Sequence, residues 1–379
     1  MNPLEWAQDL EDVEIESVVD TRCKDLHLPC NLLNWNEKLY YKMRQDTCSS
    51  NSLLRIDPSA LSYSQGGRII GYRIRARGFR LVHYTFRGDD KFFLVNDKGV
   101  LFSDSLLYRS FYDTLPYFGA MPQYALQDSS GIAICMSRQQ YGHFLFDDLL
   151  PFIAGLKVFS FDMLPREILI LISREWQRLL AEDLLLLTGI TTPRRYMELQ
   201  TESCLYTIGL AEIFIPIFPD IFWSWKELVA SSQYMHLMTK RDKKIYDLAY
   251  LSRDGFDTES RVSNVLEFRS NLIGSGKNVL IIRPHEQDLL SVIEEMLKCK
   301  SVIAEPGTTP LIAMIIASWI DQIIVLQSAR TVTHCEKKYF YSGWRYHLAF
   351  SDRIQYCLGE AVKPMQNPFS DIASYQVLF

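Results

Sequence analysis

The chain has no run of about 18 uninterrupted apolar residues, the length a membrane-spanning helix requires. Its longest apolar stretches, near 144–161 and 310–320, contain Asp147 and Asp148 or close on Trp319-Ile320-Asp321. The opening MNPLEWAQDLEDVEIESVVD is acidic and lacks the basic start and apolar core of a secretory signal. A soluble, cytoplasmic protein is therefore expected. There is no basic excess either: 40 Lys and Arg stand against 45 Asp and Glu, a net charge of −5. That balance argues against general nucleic-acid binding, which needs a cationic surface to displace counterions. The 8 cysteines, at 23, 30, 48, 135, 204, 299, 335 and 357, form no C-x2-C pair. A zinc ribbon or thioredoxin-type site is thereby disfavoured, and scattered thiols in so long a chain fit a reducing compartment.

Several chemical signatures are missing as well. No G-x-S-x-G, H-E-x-x-H or G-x-G-x-x-G occurs, so the hydrolase elbow, the zincin helix and the dinucleotide turn lack support. Gly274-Ser275-Gly276-Lys277 resembles the end of a P-loop, but Asn271 stands where that loop has glycine and Asn278 follows the lysine. It also precedes a strand pattern instead of following one. Asp147-Asp148 is not a D-x-D motif at a strand end, and no structural metal is expected. No repeat or low-complexity tract is visible.

What remains is a globular chain of 379 residues, 48% hydrophobic, long enough for two or more domains. Residues 60 to about 110 alternate like a small antiparallel β region, with turns at Gly88-Asp89-Asp90 and Asn96-Asp97-Lys98-Gly99. Within it Gly71–Arg80 sets Arg73, Arg75 and Arg77 on one strand face. That stripe is either a solvated sheet face or a basic surface for an anionic acceptor or a phospholipid. From about residue 120 the texture becomes α/β. Ile132–Met136 and Ile168–Ile172 read as strands, Tyr141–Phe161 as a helix bent at Pro151, and Trp176–Leu187 as a helix ended by Gly189. Leu205–Ile208 and Ile213–Ile217 read as two further strands, and Lys226–Lys240 as a connecting helix. In the second half, strands at Leu248–Leu251, Val279–Ile282, Ser301–Ala304 and Ile323–Leu326 alternate with helices near 261–269, 287–299 and 310–319. Such alternation predicts parallel sheets covered on both faces.

The stretch Ser301–Trp319 organises the second half. A buried strand runs into Glu305-Pro306-Gly307-Thr308-Thr309, and Pro310 suits the start of an apolar helix that Thr308 or Thr309 can cap. A strand, a glycine-bearing turn and a helix start make an anion site at the carboxyl edge of a parallel sheet. The neighbouring loops are polar too: Ser252-Arg253-Asp254, with Arg261 opening the next helix, and Arg283-Pro284-His285-Glu286. Arginines suit phosphate oxygens, which they bind in bidentate fashion. In the first half, His143 and Asp147 stand four residues apart on a helix, so a carboxylate can orient the imidazole. Either His143 or an aspartate of the Asp147-Asp148 pair can act as general base, the alternative being the wet face of an amphipathic helix.

Together these blocks resemble glycosyltransferase family 61, of the capsular polysaccharide biosynthesis type. The resemblance rests on Tyr141-Gly142-His143-Phe144-Leu145-Phe146-Asp147-Asp148-Leu149-Leu150-Pro151, on Leu251-Ser252-Arg253 with Arg261 and Asn264, and on Glu286-Gln287 through Val302–Thr309. Tyr346-His347-Leu348-Ala349 through Gly359-Glu360 looks like the family's closing segment, and the likeness covers roughly 90–379. One departure concerns the turn, where Pro306 replaces a frequent histidine and Thr308 and Thr309 replace two glycines.

The resemblance implies an α/β, GT-B-like fold: two Rossmann-like domains facing a cleft, with a small N-terminal β-rich region. Residues 1–119 would be that region, 120–225 the acceptor-side domain, 226–335 the nucleotide-sugar domain and 336–379 a segment packing back across them. It implies an inverting transfer of a sugar from a nucleotide donor, UDP-linked in most members, to a hydroxyl of a glycan or lipid-linked glycan acceptor. Work at the inner face of the membrane is a further expectation. Catalysis falls to His143, Asp147 or Asp148. Donor binding falls to Arg253, Arg261, Asn264, Arg283, His285, Glu305, Gly307, Thr308 and Thr309, with no metal and no cofactor besides the donor. The rival expectation is a non-catalytic nucleotide- or glycan-binding protein on the same fold.

Overall fold

A computed structural model describes residues 13–20, 53–54, 68–86, 89–96, 99–103, 123–125, 132–135, 141–150, 152–153, 156, 167–198, 204–216, 236, 244–255, 261–333, 353–366 and 368–376. The described part is mixed α/β. The chain divides into two compact units, one of Met1–Arg22 with Gly67–Leu228, the other of Cys23–Gly66 with Val229–Phe379. The expected helix Lys226–Lys240 lies outside the described residues, His236 excepted.

The strands are numbered along the chain. In the first unit they are β1 (Val13–Asp20), β3 (Arg68–Phe86), β4 (Asp89–Asn96), β5 (Gly99–Ser103), β6 (Gln123–Ala125), β7 (Ile132–Cys135), β8 (Glu167–Ile172), β9 (Arg194–Glu198) and β10 (Cys204–Pro216). All nine form one sheet, in the order β5-β4-β3-β10-β7-β8-β9, with β1 on β3 and β6 on β10. The N-terminal β region and the α/β part thus share a sheet, joined where β10 runs antiparallel to β3 and parallel to β7. Two expectations are corrected here. The strands expected on either side of Gly209 are one continuous strand, because β3 offers a 19-residue partner along which β10 stays paired. Asp89 and Asp90 belong to β4, opposite Phe86 and Thr85, and not to the turn expected at Gly88-Asp89-Asp90. The register also places Glu16 opposite Arg73, and Glu14 and Glu212 opposite Arg75. Opposite charges at facing positions are the usual arrangement of a sheet in its own right, which favours the solvated-face reading of that stripe.

β7, β8 and β9 run parallel, and β10 returns to the other side of β7. Helix α1 (Glu175–Thr188) links β8 to β9. At its start the fully buried Gln177 accepts the Ser173 and Arg174 N–H groups at 2.6 and 2.9 Å. At its end Gly189, with φ 65°, bonds the last carbonyls. Both orphan ends are therefore satisfied.

The second unit contains β2 (Leu53–Leu54), β11 (Tyr246–Leu251), β12 (Val279–Ile282), β13 (Cys299–Ala304), β14 (Gln322–Ser328), β15 (Ile354–Lys363) and β16 (Ile372–Ser374). Their order is β12-β11-β13-β14-β15-β16, with β2 on β15. The first five are parallel, and β16 is antiparallel. The continuous apolar runs SVIA and IIVL suit strands with both faces covered, whereas VLII, on the edge strand β12, is mostly half-buried. The closing segment supplies β15 and β16 of this sheet. Helices α2 (Val265–Gly274), α3 (Leu289–Leu297) and α4 (Thr309–Ile315) connect the strands. Asp288 caps α3 by accepting the Ser291 N–H at 2.8 Å, and Leu289, Val292, Ile293, Met296 and Leu297 make its buried stripe. From α2, Phe268 and Leu272 pack on Leu248, Tyr250, Ile303, Ile324, Leu326 and Cys357. Each such side chain contributes about 1.5–3 kcal/mol by leaving water.

Cys299 and Cys357 are buried thiols, and burial pushes them up to about 12 and about 11. Both should resist iodoacetamide in the native protein and react once it unfolds. Peptide mapping that finds either alkylated at the rate of a free thiol before unfolding contradicts this packing.

Candidate functional site

In the second unit the chain leaves β11 in one direction, to β12, and comes back across it to β13. Ligands of open α/β sheets bind at such a reversal, beyond the carboxyl ends of the two strands. Those ends are Leu251 and Ala304, so the loops that meet there are Ser252-Arg253-Asp254 and Glu305-Pro306-Gly307-Thr308.

Glu305 joins the two loops. Its N–H donates to the Leu251 carbonyl at 3.2 Å, and its own carbonyl accepts the Thr309 hydroxyl at 2.5 Å. The carboxyl is fully buried, with Oε1 accepting from Tyr250 Oη at 2.5 Å and Ser252 Oγ at 2.9 Å. Among the described residues Oε2 has no hydrogen-bond partner. Burial raises the Glu305 carboxyl above the usual carboxylate range, opposed by the donors from Tyr250, Ser252 and the Arg253 backbone. Burial, and then Glu305 itself, push the Tyr250 phenol far up.

Two arginines close over the turn. Arg253 Nη1 donates to the Pro306 carbonyl at 3.3 Å. Gly307 is exposed, with φ 122°, a conformation that side chains strain. A Cβ there would overlap Arg253 Nη1 and meet Arg261 Nη1 at 3.6 Å. Burial lowers the Arg253 guanidinium from its ordinary value, and burial with the nearby Arg253 charge lowers Arg261. Two half-buried cations thus converge on an exposed glycine turn and concentrate positive charge there.

Arg261 is held from behind. Its carbonyl accepts the Ala373 N–H at 3.0 Å, and Ser263 N–H donates to the Ala373 carbonyl at 2.9 Å. Asn264, expected on the donor, is occupied otherwise: Nδ2 donates to the Tyr375 carbonyl at 2.9 Å and Oδ1 accepts the Tyr375 N–H at 3.0 Å. The amide thus straps β16 to the segment that carries Arg261. The Tyr375 ring is buried against Phe268, and its hydroxyl lacks a hydrogen-bond partner among the described residues.

The structure therefore brings together Arg253, Arg261, Glu305 and Gly307. Arg283 and His285 join another group. Arg283 lies 3.7 Å from Asp254 and 3.8 Å from Glu286, which also stands 3.8 Å from His285, while Arg269 pairs with Asp254 at 2.7 Å. Thr308 makes no side-chain cap, and Thr309 bonds back to Glu305 instead of to the helix. The helix expected over 310–319 is shorter. α4 stops at Ile315, Ile316 leaves helical geometry, and Ala317–Trp319 forms a 3-10 turn. With about two turns of helix, the arginines and not a dipole supply the positive charge. Sequence reasoning did not single out Tyr250 or Tyr375 for the site, and it quoted Ser252 without a role.

In the first unit an α turn, Tyr141–His143, follows β7 and continues as a π-helix over Phe144–Leu149. The i→i+5 ladder replaces the α-helical turn on which the 143/147 pairing was expected. Tyr141 and Phe144 pack on Trp176 of α1, with ring centroids 5.3 and 5.7 Å apart. Asp148 is half-buried, and the side chains of His143 and Asp147 lie outside the described residues. Among the described residues no helix is long and apolar enough to cross a membrane, and no group of His, Cys, Asp and Glu is placed to hold a metal. No protein-family model matches this chain, and no curated protein matches its sequence.

Proposed function

We propose that the chain is a glycosyltransferase that takes a sugar from a nucleotide diphosphate donor, on two Rossmann-like domains of the GT-B kind. The observation that carries this reading is the convergence of Arg253 and Arg261 on the Gly307 turn, at the point where the order of the second sheet reverses. A sugar nucleotide reacts by in-line attack of an acceptor oxygen on the anomeric carbon. The bond from that carbon to the diphosphate oxygen breaks, and the hydroxyl proton passes to a base. The leaving diphosphate gathers negative charge, which paired guanidinium groups stabilise. The base is assigned to His143, Asp147 or Asp148, on the helix that follows β7. The acceptor is a glycan hydroxyl.

The test is a thermal-shift screen against UDP, GDP, CMP and TDP and their sugars, with and without EDTA. A ligand at ~100 times its Kd adds about 2.7 kcal/mol, roughly 5–10 °C for a unit of this size. A shift with one nucleotide class, abolished in Arg253→Ala, is the expected result. Slow hydrolysis of the same sugar nucleotide without acceptor identifies an enzyme, and binding without any turnover identifies a binding protein. No shift with any nucleotide overturns the reading.

A further inference from the structure

The buried carboxyl of Glu305 lies beside Arg253, whose charge and backbone N–H favour its ionised form. Oε1 takes two hydroxyl donors, while Oε2 has no hydrogen-bond partner among the described residues. The groups that face it come from each surrounding element. β11 gives Tyr250, and its loop gives Ser252 and Arg253. The C-terminal strand region gives Tyr375, whose surroundings include Arg261, Cys357 and Asp371, and α2 gives Arg269, which acts on Tyr250. Among the described residues, the charge that acts on the carboxyl is that of Arg253, which in turn faces Arg261.

We infer that Glu305 is a proton-linked positioning residue of the anion site: its carboxyl ties the Arg253 loop to the Gly307 turn, and anion binding at the two arginines carries a proton onto Oε2. The inference rests on the reading that Arg253 and Arg261 bind an anion. Its physics is electrostatic. An isolated buried carboxylate is costly, and here Arg253 offsets part of that cost. An anion on Arg253 and Arg261 cancels the offset, so the ionised form becomes less favourable and the carboxylate takes one proton from solvent. By reciprocity, the protonated form binds the anion more tightly. Burial already raises this carboxyl, which brings the event toward neutral pH. The sign for stability follows from the same shift. A group raised in the folded state contributes fully below its unfolded value and loses that contribution as pH rises through the folded one.

The test is titration calorimetry on the full chain, with UDP-glucose and with sodium sulfate as probes. Neither probe changes charge over roughly pH 5 to 8, the range to be scanned. Buffers of different ionisation enthalpy report the protons taken up. The wild type should take up a proton fraction on binding, and its affinity should fall with rising pH by about tenfold per unit at most. Glu305→Gln keeps an acceptor for Tyr250 and Ser252, and it should bind with no uptake and a flat pH profile. Glu305→Asp should restore uptake. A merely structural Glu305 would change affinity but not the pH slope. Binding without proton uptake in the wild type, or unchanged uptake in Glu305→Gln, overturns the inference and leaves the arginine site standing. Failure of the wild type to bind either probe, or unchanged binding in Arg253→Ala, overturns the arginine site itself.

Discussion

Replacing Gly307 by alanine should leave the second unit folded and raise the Kd of the proposed nucleotide-sugar site about 10- to 100-fold. Two effects act at this position. The backbone sits at φ 122°, where an L side chain is strained by about 1–3 kcal/mol. The new Cβ would also overlap Arg253 Nη1. That atom is the far end of a flexible side chain, so the arginine swings aside and the main chain holds. The displaced guanidinium then withdraws a charge-assisted hydrogen bond from the ligand, worth about 1.5–3 kcal/mol. Calorimetry on Gly307→Ala, Arg253→Ala and the double variant checks the cause. Because both substitutions remove one contact, their effects should fall well short of adding. Full additivity, or wild-type affinity in Gly307→Ala, shows that Arg253 does not act over this turn.

Much of the second sheet was legible because its strands announce themselves. VLII and SVIA are short apolar runs closed by polar turns, and Asp288 three residues before Ser291 marks the start of α3. Parallel strands then bring their following loops to one edge, so Arg253 and Gly307 could be named from spacing alone. What escaped depends on partners far along the chain. Asn264 is expected on the donor through the resemblance, and only residue 375, 111 positions later, shows that Tyr375 takes both ends of its amide. Tyr250 looks like core because it sits mid-strand. Its hydroxyl matters only once β13 lies alongside and delivers Glu305. β9, RRYME, lacks apolar alternation and is a strand because β8 offers it an edge. The π-helix at Phe144–Leu149 has no local signal, since an apolar run with two aspartates reads as an ordinary helix. Site chemistry was thus visible where it follows a strand, and hidden where the far end of the chain completes it.

Asp371→Ala should destabilise the second unit by about 2–4 kcal/mol and weaken the proposed anion site without touching its ligand. The Asp371 side chain has no exposed surface. Its Oδ1 accepts from Arg330 Nη1 at 2.8 Å and from Met365 N–H at 2.6 Å, and its Oδ2 accepts from Ser328 Oγ at 2.7 Å. Alanine leaves three donors without that acceptor. The Ser328 residue is buried, whereas the Arg330 side chain keeps 27% of its surface and can reach water. That access puts the cost somewhat below the roughly 3–5 kcal/mol typical of a broken buried pair. The local loss spreads by geometry. Asp371 directly precedes β16, whose Ala373 holds the Arg261 carbonyl and whose neighbour Tyr375 is strapped by Asn264. Loosening β16 therefore loosens Arg261, and affinity for the anion should fall together with the melting temperature, the latter by roughly 5–12 °C. The combination with Arg330→Ala should cost less than the two single changes summed, because the second removes the charge that the first strands. A melting temperature within about 2 °C of the wild type would show that the ion pair contributes little. A large thermal loss with unchanged anion affinity would show that the C-terminal strand stabilises the unit without positioning Arg261.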